Sequence, residues 1–122
     1  MEQSKVAGTV ILNQENGHKK FLVKKENKDV AFINVSGNSN VTSLACILDE
    51  LNDVVGLDSS HMDLVELTNI NIHEEKVPFY VFSMDETKLL HDMEDNVFLW
   101  ETPSILREVL QKFNVSGVPY FY

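Results

Sequence analysis

Three carboxylates fall close together in Leu48–Leu57, which reads LDELNDVVGL: Asp49, Glu50 and Asp53. A hard divalent cation such as Mg2+ or Mn2+ wants such oxygen ligands, and once bound it neutralises phosphate groups and activates water. The same spacing also describes a solvated helix face, on which the Asp49/Asp53 pair costs about a few tenths of a kcal/mol in repulsion. The residue types alone leave both readings open.

A helix must carry them. At about 100° per residue, Leu44, Ile47, Leu48, Leu51, Val54 and Val55 gather into one apolar stripe. Asp49, Glu50 and Asp53 group on the opposite side, because offsets of three and four residues are helix neighbours. Val54 borders Glu50 at the edge of this acidic arc. Gly56 is placed to end the helix in a left-handed conformation that other residues adopt at higher cost. Thr42 or Ser43 is placed to cap its start, a hydroxyl accepting from a free backbone N–H.

Around the helix the pattern is mostly strand. Lys5–Asn13 is rich in β-branched residues, and Asn16-Gly17 is a strong hairpin signal leading to a second strand over Lys20–Lys25. A polar turn at Glu26–Asp29 precedes a third strand over Val30–Val35. Ser36–Ser43, with Gly37, is a loop into the helix. Leu64–His73 alternates like a strand with one buried face, Glu74-Glu75-Lys76 reads as its turn, and Val77–Met84 reads as its partner. Thr87–Asn96 is acidic and irregular, with room for one helical turn. Val97–Trp100 is a short strand, and Pro103 suits the first turn of a helix running to about Phe113. The order predicts an α+β domain with a mixed sheet between helices.

At 122 residues the chain fits a single domain spanning residues 1–122, and 43% apolar content is ordinary for a globular protein. The net charge of −9 is concentrated in the second half: Met1–His61 holds six basic and eight acidic side chains, Met62–Tyr122 four and eleven. That balance argues against nucleic acid or an anionic membrane as partner, since both need clustered cations. Lys19, Lys20, Lys24, Lys25 and Lys28 form the one basic cluster, so a small anionic ligand needs these or a metal to offset the field. Cys46 is alone and reads as a structural thiol. With no secretory leader and no apolar run of membrane-spanning length, a soluble cytoplasmic protein is expected. His18, His61, His73 and His91 are scattered rather than spaced as zinc ligands.

A hairpin, a third strand ending at a glycine loop, a carboxylate-bearing helix ending in Gly56-Leu57, further strands, and an aromatic strand before a last helix resemble the Nudix (MutT-like) hydrolase family. The resemblance covers roughly Val6–Phe113 and implies an α/β/α sandwich. The family's helix carboxylates bind Mg2+ or Mn2+, and its substrates are usually nucleoside diphosphates linked to another group. Glu50 falls on the Glu after the signature arginine, and Leu51, Gly56 and Leu57 fall on its apolar and closing positions. Asp53 falls on the first Glu of the terminal pair, Val54 on the second, and Asp49 on the arginine. Gly37 resembles the opening glycine, but eleven residues separate it from Asp49 where the pattern has thirteen, and Asn38–Ser43 lacks the glutamate.

The resemblance therefore implies a degenerate box in which Glu50 and Asp53 are the catalytic and metal-binding candidates. Asp49 and Glu94 stand as further possible ligands, Glu94 also as a residue of a solvated acidic loop. Phe32 and Trp100 are candidates to line a base-stacking pocket, with core packing the alternative for Trp100. Gly37 and Lys24 are further candidates to meet the ligand. Three functions are compatible with this: a module binding a phosphorylated or nucleotide-like small molecule with weak or no hydrolysis, a divergent Mg2+-dependent hydrolase, or a homodimeric scaffold using the aromatic tail Val118–Tyr122.

Overall fold

The computed structural model describes residues 5–26, 29–37, 42–72, 75–88 and 97–104. Its centre is β1 (Lys5–Asn13), seven of whose nine residues are buried. β1 meets β2 (Lys19–Glu26) antiparallel through Ile11↔Phe21 to Asn13↔Lys19. The connection is the expected turn: Gly17, at φ +86°, donates its N–H to the Gln14 carbonyl at 3.0 Å. On its other edge β1 runs parallel to β6 (Glu75–Asp85), from Ala7↔Phe79 to Asn13↔Asp85. β5 (Asp63–Ile72) pairs antiparallel with β6, giving the order β3-β2-β1-β6-β5.

The expected strand over Val30–Val35 is two strands. β3 (Asp29–Ala31) pairs with β2, whereas β4 (Ile33–Ser36) pairs with β1 from Gly8↔Ile33 to Lys5↔Ser36, and Phe32 is the step between them. The physical reason is that β1 and β2 part beyond Ile11↔Phe21, and one continuous strand cannot serve both diverging edges. Buried Thr9 sits at this divergence and donates its hydroxyl to the Leu22 carbonyl at 2.8 Å. A buried carbonyl left unpaired there would be costly.

β7 (Phe98–Glu101) pairs with the outer edge of β2, through Leu22↔Trp100 and Lys24↔Phe98. Two further expectations need correction. Glu75 and Lys76 belong to β6 rather than to a turn. β5 does not bury one clean face: a bulge between Leu64 and Glu66 shifts the alternation, so Leu64, Val65 and Leu67 are all exposed, and Ile70 is buried. A single inserted residue sends later side chains to the opposite face. Pro103 and Ser104 are helical. The rest of the expected last helix, the aromatic tail, His73, His91 and most of the acidic segment lie outside the described residues. No helix among the described residues is long and apolar enough to cross a membrane.

Alternation divides the sheet's side chains between two cores. One face carries Ala7, Ile11, Phe21, Phe32, Ile70, Val77, Phe79 and Val81. The other carries Val6, Val10, Leu22, Ile33, Phe82 and Phe98, closed by Ile47, Leu51, Val55 and Leu57 of the helical segment. The helix is seated at Gly8, where an added Cβ would come within 2.9 Å of Ile47 Cγ1. The mixed sheet is as expected, and of the helices expected to flank it the described residues show the one over Ser43–Val55 packed on one face.

Candidate functional site

Thr42 caps α1 (Ser43–Asp49), its hydroxyl accepting from the Ala45 N–H at 3.1 Å. From Glu50 to Val55 the helix widens into a π-turn and ends at Gly56, φ +90°. The Gly56 N–H reaches the Leu51 carbonyl at 3.0 Å, and the Leu57 N–H reaches the same oxygen at 2.9 Å. Such single π-turns within helices often mark functional positions.

The widened turn changes which residues face the sheet. Leu51 and Val55 are buried, but Val54 is 54% exposed and leaves the apolar stripe in which regular helical spacing places it. Asn52, between the carboxylates, is half-buried. Its amide donates to the Leu48 carbonyl at 3.0 Å and to Ser59 Oγ at 2.8 Å, and its oxygen accepts from the Ser59 N–H at 2.9 Å. It ties the helix to the 3-10 turn Ser59–His61, which Asp58 caps. Ser60 donates from both hydroxyl and backbone to the Asp58 carboxylate, holding its pKa below the usual value.

The three helix carboxylates differ. Asp49 and Asp53 are exposed, whereas Glu50 is half-buried. Burial pushes the Glu50 carboxyl above the ordinary glutamate value, and the Lys24 ammonium partly opposes this. Among the described residues no three His, Cys, Asp or Glu side chains gather as a metal-binding group. Glu50 and Asp53 with water are a sufficient donor set for one hydrated Mg2+, which often binds through one or two carboxylates, but not for a multi-metal centre.

Because Glu50 is harder to ionise in the fold, the folded state binds its proton more tightly than the unfolded chain does. Its contribution is therefore most favourable below the ordinary carboxylate range and declines as pH rises through the raised pKa. Glu50→Gln removes the buried charge. It is expected to raise the melting temperature relative to the parent at pH 7, with the gain vanishing toward pH 4; thermal melts at both pH values check this.

The remaining candidates separate clearly. Phe32 is 1% exposed, its ring centroid 4.4 Å from that of Phe79 at 51°, so it belongs to the core rather than offering a ring face to a ligand. Gly37 is half-buried at the end of β4, and the loop after it lies outside the described residues, as does Glu94. Lys24 is half-buried and close enough for its charge to act on Glu50. Trp100 packs against the helix-side core, and its buried Nε1 finds no hydrogen-bond acceptor among the described residues. The sequence gives little warning of the Asn52 clamp or of this indole N–H; the alternation of β2, which puts Leu22 and Lys24 on one face, is the available signal for the Lys24–Glu50 approach.

No protein-family model and no curated protein matches the sequence. Solved structures do match in fold. A C. elegans Ap4A hydrolase in a binary complex is similar with a TM-score of 0.68 at 8% identity, over 88% of this chain and 86% of that one. The M. smegmatis Nudix hydrolase RenU gives 0.57 at 13% identity, over 90% and 87%. The Nudix domain of Shewanella oneidensis NrtR, complexed with ADP ribose, gives 0.51 at 10% identity, over 91% and 77%.

Proposed function

The chain has a divergent Nudix fold, and on that frame we propose that it binds a nucleotide-like or phosphorylated small molecule on the helix-bearing side of its sheet, with weak or no hydrolysis. The observation that carries this reading is the unequal placement of the box carboxylates. Of the three, Glu50 alone is half-buried and within reach of the Lys24 charge, while Asp49 and Asp53 are exposed. Val54 occupies the position of the second signature glutamate and offers no oxygen. Among the described residues the donor set is too sparse to assemble several metals around a reacting diphosphate, yet a half-buried lysine remains to meet an anion. The ADP ribose in the NrtR complex supports a nucleotide-like ligand.

The divergent-hydrolase reading rests on Glu50 and Asp53 holding one Mg2+, which would neutralise substrate phosphate and activate water. The two readings separate in a hydrolysis assay over nucleoside diphosphate derivatives with Mg2+ and Mn2+, comparing the parent with Glu50→Gln. The binding reading expects no metal-dependent turnover above that of the variant. Turnover at ordinary enzymatic rates, roughly 1 per second or faster, abolished by Glu50→Gln would establish the hydrolase instead.

A further inference from the structure

The β2–β7 pairing brings two donors to one face of the sheet. Directly paired residues of antiparallel strands share a face, as do residues two apart on one strand. Leu22↔Trp100 and Lys24↔Phe98 therefore place Lys24 and Trp100 on the same side, diagonal to one another. Leu22 and Phe98 pack with Ile47 and Leu51, which identifies this as the helix side. Long and aromatic side chains reach across such a diagonal.

Both groups donate and neither can accept. An indole offers one N–H, and a lysine ammonium offers three with a full positive charge. The Trp100 Nε1 is buried and has no acceptor among the described residues; buried polar groups of this kind are ordinarily paired, and an unmade bond is expensive. In a chain of net charge −9, a half-buried cation and an indole N–H on one face of two paired strands are the chemistry an oxyanion site needs.

We propose that Lys24 and the Trp100 indole N–H together bind the phosphoryl oxygens of the ligand directly, without a bridging divalent cation. This deepens the binding function proposed above and rests on it. The Lys24 charge acts on the Glu50 carboxyl, and the ligand's oxyanion competes with that carboxylate for it. A neutral nucleoside lacks the charge that Lys24 needs and is discriminated against.

Trp100 is the single tryptophan of the chain, so its emission reports on the site directly. The full chain is titrated with inorganic pyrophosphate, ADP and adenosine, in EDTA and in Mg2+. Saturable emission changes with pyrophosphate and ADP in EDTA, and much weaker binding of adenosine, are expected. Lys24→Met, which keeps the apolar stem, should weaken binding of both anions about tenfold or more. Trp100→Phe, followed by calorimetry because it lacks the reporter, should weaken them similarly while melting as a folded protein. Should Trp100→Phe fail to fold, Lys24→Met decides alone. Binding that requires Mg2+, that ignores both substitutions, or that is equal for adenosine overturns direct phosphoryl recognition and leaves ligand binding standing. If no probe binds under any condition, both fall.

Discussion

Phe79→Ala is expected to lower the unfolding free energy by about 3–5 kcal/mol, a large share of the roughly 5–15 kcal/mol that holds a domain together. Phe79 is fully buried at the start of the parallel ladder between β1 and β6, opposite Ala7. Its neighbours in the core include Ile11, Phe21, Phe32, Ile70, Val77 and Val81. Truncation removes the ring's transfer free energy, its tilted contact with Phe32, and the close packing of a site where two strands cannot collapse inward without breaking their ladder. The contrasting substitution lies on the neighbouring strand. Leu67 is 56% exposed, so Leu67→Lys is expected to change stability by no more than about 0.5 kcal/mol. Urea denaturation with comparable m-values measures both. A loss below about 1 kcal/mol for Phe79→Ala would contradict the assignment of this face as core.

The contrast shows which level of structure sequence patterns encode. β1 is legible to its end residues because its β-branched run is bounded by a turn dipeptide with a strong local preference. The helix start at Thr42 and its stop at Gly56 are equally local, one a hydroxyl cap and the other a left-handed glycine. The break at Phe32 is not local: it follows from the parting of β1 and β2, which no residue between Val30 and Val35 announces. Nor is the bulge at Val65, since D-L-V-E-L alternates acceptably with or without an inserted residue. The candidate site divides the same way. The carboxylates and their helix are read from spacing, whereas the separation of Glu50 from Asp49 and Asp53 depends on how the helix is seated on the sheet, over β1, β4 and β6. The unmet indole donor depends on tertiary burial and is invisible in the residue letters.

Val54 and Val55 put that last step to the test, because the sequence treats them alike and the structure does not. Relative to Leu51, offsets of three and four both belong to the apolar stripe of a regular α-helix, so regular winding predicts that both valines are buried. In the π-turn, the Gly56 N–H bonds to Leu51 across five residues. Val55 is then 8% exposed and Val54 is 54% exposed. Val55→Ala is accordingly expected to cost about 1.5 kcal/mol, from two buried methyl groups. Leu51→Ala, fully buried one turn earlier, is expected to cost about 2–5 kcal/mol. Val54→Glu should stay within about 0.5 kcal/mol of the parent even though it introduces a charge. Chemical denaturation of the three variants decides the register: a penalty of 2 kcal/mol or more at Val54 would mean that the helix winds regularly into the sheet. The outcome bears on function as well as fold. If Val54→Glu is tolerated, the valine is not held in place by packing. On the proposed reading of the box, a glutamate could then stand at this position without loss of the fold, so helix packing would not be what excludes it.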